Sequence, residues 1–188
     1  MQLGLKSCDV RSWRMGDADA LARHGNNVKI WLNLRDAFPH PYTPHDAREF
    51  IKSLRHRTPE TTFAIAVNGE AAGSIGFVLR HDVERVSAEI GYWLAEPFWG
   101  RGMATEALIA MTGYAIATHN LTRLYALPFA SNAASCRVLE KAGYTLEARL
   151  RRSAIKNGVI TDQLQYAFVV PEAAAISADD QPPRETRG

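Results

Sequence analysis

Two runs rich in apolar and β-branched residues, at 61–67 and 71–79, meet at Asn68-Gly69. That pair supplies the positive φ angles of a tight turn, so the runs read as a hairpin. A third run at 86–94 continues the meander, and residues 10–14 read as an earlier strand. Helical spacing replaces strand patterning elsewhere. Gly16-Asp17-Ala18-Asp19 opens one helix with Asp17 as a candidate N-cap. Val28, Ile30, Trp31 and Leu34 lie roughly on one face of a helical stretch over 26–35. Three prolines within 39–44 interrupt it, and Thr43-Pro44 then starts a helix to about residue 57. Downstream the pattern predicts a helix over 104–118, a short strand at 124–127, and a helix over 132–142 stopped by Gly143. A last hairpin, 146–155 with 159–170, turns through Lys156-Asn157-Gly158. This order predicts an α/β fold: one mixed, mostly antiparallel central sheet flanked by helices.

The periodicity stops after Pro171. Residues 172–188 are rich in Ala, Asp, Pro and Arg and read as a disordered tail on a domain spanning 1–171. Formal net charge is +2, and residues 172–188 hold four acids against two arginines. The body therefore carries +4, a mild excess that suits an anionic small ligand at least as well as nucleic acid, which is not favoured as a partner. The two cysteines, Cys8 and Cys136, fit no zinc or redox spacing and read as free thiols of a cytoplasmic protein. The six histidines show no ligand spacing, so no metal is expected. Residues 1–20 lack the pattern of a signal peptide, and no run is apolar enough to span a bilayer.

Chemistry concentrates in Trp99-Gly100-Arg101-Gly102-Met103-Ala104-Thr105, between a predicted strand and a predicted helix. Small residues at a helix start leave backbone N–H groups uncovered, and the helix dipole adds positive potential, which suits a phosphate. The loop lacks the Gly-Lys-Ser/Thr ending of a P-loop. The strand that follows the helix lacks the acid of a dinucleotide fingerprint.

A second element, Asn132-Ala133-Ala134-Ser135-Cys136-Arg137 through Gly143-Tyr144, follows that loop, and Glu89-Ile90-Gly91-Tyr92-Trp93-Leu94 precedes it. These three in order resemble the GNAT superfamily of N-acetyltransferases, and more narrowly its RimJ/RimL-like branch, whose characterised members acetylate protein N-termini. Pro39-His40-Pro41-Tyr42-Thr43 is similar to that branch as well, and the likeness covers residues 10–170. The resemblance implies the acyl-CoA N-acyltransferase fold, with acetyl-CoA as cosubstrate and an amine acceptor. Its pyrophosphate would be wrapped by Gly100, Arg101, Gly102, Met103 and Ala104, with Thr105 beside them. Trp93 and Leu94 would pair with the pantetheine arm as an added strand does, and Asn132 would hold the cosubstrate further on. Trp99 stands where the superfamily usually has Gln or Arg, but aromatics are common there in this branch.

Transfer to an amine needs a base, because an α-amine with a pKa of about 8 is mostly protonated at neutral pH. The resemblance makes Glu89 the candidate; otherwise it is a strand carboxylate paired with Arg80, Arg85 or Arg123. The tyrosine that many GNAT enzymes use as acid falls at Leu139 here. Ser135, one turn earlier, becomes the candidate for stabilising the thiolate, as the resemblance implies; otherwise it bonds its own helix start. Cys136 points about 100° away from Ser135 and reads as a structural thiol, which favours direct attack in a ternary complex. Trp31, Phe38, His40 and Tyr42 either line the acceptor pocket or pack internally. Arg149, Arg151 and Arg152 form a strand edge or touch an anion. The expected acceptor is a protein N-terminal α-amine. A small amine acceptor (polyamine, amino acid or antibiotic), a silent acetyl-CoA sensor and a ribosome-associated factor stand as alternatives, and the state is monomer or homodimer.

Overall fold

The computed structural model describes residues 1–55 and 57–171; the tail expected over 172–188 lies outside the described residues. The chain order is β1 (Gln2–Gly4), β2 (Asp9–Arg11), α1 (Ala18–Gly25), α2 (Val28–Trp31), α3 (Pro44–Leu54), β3 (Thr62–Val67), β4 (Glu70–Leu79) and β5 (Ser87–Leu94). It continues with α4 (Met103–His119), β6 (Arg123–Ala126), α5 (Ala133–Lys141), β7 (Thr145–Lys156) and β8 (Val159–Val169). Local chemistry explains several of these ends. Asn68 and Gly69 take positive φ angles of 51° and 84° between β3 and β4, as the turn requires. Thr43 accepts from the Asp46 N–H and Asp46 bonds back to Thr43, a capping box with Pro44 in the first turn of α3.

Two expectations change and one strand is added. The helical stretch over 26–35 shrinks to the single turn α2, capped by the Asn27 side chain and followed by turns. β1, too short to show a pattern, pairs with β2 at the sheet edge. Asp17 precedes α1 but makes no side-chain cap. Its carboxylate instead accepts from both terminal nitrogens of buried Arg11, each at 2.8 Å, and from the Arg14 N–H. Burial works to raise the Asp17 carboxyl, yet these hydrogen bonds overcome it and hold the group below its ordinary value.

Among the described residues the strands form one sheet in the order β1-β2-β3-β4-β5-β6-β8-β7. Every neighbouring pair is antiparallel except β5–β6. This is the expected mixed, mostly antiparallel sheet. One sheet face carries α4, whose Ala107, Met111 and Ala115 recur at four-residue spacing and are buried with Ala88, Ile90 and Leu94 of β5. On the other face α1 and α3 pack around Leu21, Ile51 and Tyr42, with Trp93 against them.

The parallel pair is what opens the molecule. β5 and β6 register only over Ser87–Glu89 against Arg123–Tyr125. Beyond Glu89, β5 continues to Leu94 beside β4, whereas β6 stops before Leu127-Pro128, and proline cannot extend a ladder. The strands splay, and a gap opens in the middle of the sheet.

Candidate active site

A cleft of about 490 Å³ occupies this splay and runs through the sheet. Strand alternation divides its chemistry. Glu89, Gly91 and Trp93 face the side of α1 to α3, while Ile90, Tyr92 and Leu94 face α4 and α5.

On the α4 side the wall is mostly backbone. Gly100 and Gly102 have φ angles of 75° and 82°, a region that penalises every side chain. A Cβ built on either would meet nothing within 4 Å, so both border open space. Gly102 is the N-cap of α4 and no side chain caps the helix. The N–H groups of Met103, Ala104 and Thr105 therefore have no intrahelical partner and open on the cleft, a ready anion cradle. Trp99 closes the loop by donating from Nε1 to the Leu94 carbonyl at 2.6 Å. Arg101 turns away, its guanidinium 5.8 Å from the Phe98 ring centre. Asn132 spends its Oδ1 on the Ser135 N–H, 3.1 Å away, and so caps α5. Its Nδ2 donates to none of the described residues. Arg137 and Lys141 also border this half of the cleft. The sequence reading missed them, although their i, i+4 spacing on α5 puts them on one face.

A tyrosine from another element lies against the second motif. Leu139 is fully buried in the core, but the Tyr92 hydroxyl reaches from β5 to Ser135, 2.9 Å from Oγ and 3.2 Å from its carbonyl. Burial pushes the Tyr92 phenol well above its ordinary value, so it stays protonated. Cys136 is buried beside this pair and its thiol is raised, chiefly by burial, so it stays protonated too. Tyr144, also buried, shares a hydrogen bond of 2.7 Å with Thr112 and packs inside rather than reaching the cleft.

The opposite half is built from side chains. Glu89 is paired at both oxygens, Oε1 with Arg35 and Oε2 with Arg80 at 3.1 Å. Arg80 was foreseen as a partner and Arg35 was not; Arg85 and Arg123 bond elsewhere. Lys29, Ile30, Asn33, Leu34 and Arg35 make the wall, all from α2 and the turns behind it. The four residues expected to line the acceptor pocket do not border this cleft. Phe38 and Tyr42 stack at 4.4 Å and Phe38 meets Trp93 edge-on at 5.8 Å, which makes them core. Trp31 and His40 stack at 5.4 Å behind the wall. Trp31 is also held by Lys156, from the end of β7. The Lys156 ammonium lies 4.0 Å from the Trp31 ring centre and 2.7 Å from Asp36. Arg149 is tied to Asp162 at 2.7 Å on the outer hairpin, a strand-edge pair.

Comparison with known proteins follows this geometry. The model for the acetyltransferase (GNAT) domain matches residues 9–145. The chain belongs to the GNAT family. This GNAT protein is 28% identical over 173 residues to the uncharacterized N-acetyltransferase p20 of Bacillus licheniformis, covering 88% of this chain and 94% of that one. It is 27% identical over 146 residues to the ribosomal-protein-serine acetyltransferase of Escherichia coli, with 76% and 81% covered. Spermidine N(1)-acetyltransferase of Escherichia coli is 28% identical over 134 residues, with 71% and 70% covered. Its fold matches that of RimL, a ribosomal L7/L12 alpha-N-protein acetyltransferase solved with coenzyme A. The TM-score is 0.81 at 21% identity, covering 90% of this chain and 98% of that one. The protein is an acetyl-CoA-dependent N-acetyltransferase. Among the described residues no helix is long and apolar enough to cross a membrane, and no group of three His, Cys, Asp or Glu could hold a metal ion.

Proposed function

We propose that the acceptor is a protein N-terminal α-amine, acetylated by direct attack within a ternary complex. The charge of the cleft carries this reading. Glu89 is the one carboxylate on its described walls, against Lys29, Arg35, Arg137 and Lys141. A polyamine needs several acids to hold its several charges, whereas a peptide N-terminus brings one positive charge and needs one.

The residues present fit acetyl-CoA. Met103, Ala104 and Thr105 would hold its pyrophosphate through their N–H groups, with Gly100 and Gly102 giving room and Arg137 and Lys141 adding charge. The splayed edge of β5 near Trp93 and Leu94, where the Leu94 carbonyl already accepts from Trp99, would offer its remaining groups to the pantetheine arm. Acetyl-CoA supplies the thioester, whose C–S bond breaks as the new N–C bond forms. Arg35, whose side chain is 70% exposed, gives up Glu89 at small cost when the acceptor enters. Glu89, 19% exposed, then receives the amine proton. On the other face the Ser135 hydroxyl, 2.9 Å from the Tyr92 oxygen, would turn its O–H onto the departing thiolate as a hydrogen bond. The helix start behind Ser135 favours the same negative charge, and the thiolate then takes a proton from solvent.

Thiol release from acetyl-CoA, measured across N-terminal peptides, spermidine and small amines, tests this. Turnover of Ser- or Ala-starting peptides above all small amines is expected. Turnover of spermidine alone overturns the acceptor assignment, and turnover of none overturns it too, leaving an acceptor outside the panel or a sensor.

A further inference from the structure

Next to Glu89, on the acceptor face, lies a second recess of about 320 Å³ between β4, β5, β6 and β8, with Leu127 shared by both cavities. Arg80, Arg123 and Tyr125 shape it, with Ser87, Glu84 and Gln165 around them. The two guanidinium carbons lie 5.4 and 5.9 Å from the Tyr125 ring centre, so the three side chains form one layered unit.

Counting hydrogen bonds shows what this unit lacks. Arg80 spends Nε and Nη2 on the Tyr125 oxygen and Nη2 also on Glu89, but Nη1 donates to none of the described residues. Arg123 spends Nη1 and Nη2 on Glu147, and its Nε donates to none of them. The Tyr125 oxygen receives from Arg80, and its own proton meets no acceptor among them. Unspent donors therefore gather around one recess from three side chains. Glu84, the only carboxylate on its described wall, is exposed in the turn before β5. Each guanidinium, though paired with a carboxylate on one side, keeps a free N–H beside the Tyr125 hydroxyl, a donor set that suits a carboxylate.

We infer that this recess takes a carboxylate carried by the acceptor itself, a few bonds from the amine that meets Glu89. It rests on the proposed function in one respect, that the acceptor amine comes to Glu89. The anion can be the acidic side chain of a residue just after the N-terminus, or the free carboxylate of a short amino compound. Arg80 spans the two places, bonded to Glu89 at one end and open to the recess at the other. It thus fixes the distance between amine and acid that the enzyme accepts.

The test is binding to the protein with coenzyme A present, read by calorimetry. The probes are C-terminally amidated peptides that start Ser-Glu and Ser-Gln, and glycylglycine against its amide. The acid of at least one pair is expected to bind about tenfold tighter than its neutral match, through charge-assisted hydrogen bonds. That ratio should collapse toward one in Arg80→Gln and fall in Arg123→Gln. Taking a ratio removes any effect of Arg80→Gln on Glu89 that both probes share. Preference in the peptide pair assigns the acid to a polypeptide, and preference in the glycylglycine pair alone assigns it to a small molecule. The second result keeps the anion site while overturning the N-terminal reading. Equal binding within both pairs, or binding by none, overturns the inference, as does a preference that survives both variants.

Discussion

The two halves of the cleft are made of different materials. The α4 half is a backbone surface: N–H groups at a helix start, two glycines with positive φ, and a splayed strand edge. The acceptor half is made of side chains locked in ion pairs, Arg35 and Arg80 on Glu89 and Lys156 on Asp36. Backbone geometry is indifferent to most substitutions, so that half suits a ligand that never changes. Side-chain walls alter with every replacement, so the other half is where acceptor preference can vary on an unchanged sheet. The family's relatives, one acting on a ribosomal protein and another on spermidine, differ in acceptor in the same sense.

The division breaks most visibly at the proton-handling groups. Glu89→Gln should lower kcat by about a hundredfold while the KM for acetyl-CoA stays within about twofold, since the change removes the proposed base. Steady-state kinetics at saturating acceptor checks this; an unchanged kcat would remove Glu89 from the mechanism. The reverse split belongs to Gly102→Val. A β-branched residue at a φ of 82° is strained by about 1–2 kcal/mol and covers the cradle, so calorimetry should show acetyl-CoA binding weakened about tenfold or more. Tyr92→Phe removes one neutral hydrogen bond to Ser135 and should lower kcat about three- to tenfold without moving the KM for acetyl-CoA. Ser135→Ala with Tyr92→Phe should cost no more than Ser135→Ala alone, because the two act as one unit. Lys156→Met should raise the KM for the acceptor about threefold, because Trp31, behind the acceptor wall, loses its cation–π partner. The side chain is 6% exposed but Asp36 is 69% exposed, so no buried charge is stranded. Cys136→Ala should leave turnover within about twofold, because the proposed direct transfer forms no acetyl-cysteine; accumulation of acetylated wild-type enzyme would contradict it.

How much the sequence revealed follows the same line between backbone and side chain. The hairpin at Asn68-Gly69, the start of α3 at Thr43-Pro44 and the glycine loop before α4 depend on neighbours in the chain, and each is legible there. The sheet and its mixed character follow from the order of these elements. Tyr92 reaches Ser135 across 43 positions, Arg80 reaches Tyr125 across 45, and no local pattern announces either. Arg35 was unreadable for another reason: the helical spacing over 26–35 continued past the point where the chain turns. Phe38 and Tyr42 misled because an aromatic residue in a proline-rich loop looks the same whether it faces a ligand or the core.

The clasp of Lys156 on Asp36 joins residues 120 positions apart, which sets an order in time during synthesis. A growing chain emerges from its N-terminus at about 5–20 residues per second. Glu89, the glycine loop and Ser135 are all out before Lys156 appears. Until then the Trp31–His40 stack has nothing behind it, and the acceptor wall stands unbraced. The enzyme's last-made hairpin braces a wall begun by its early turns, so the acceptor side is the last part of the cleft to be completed.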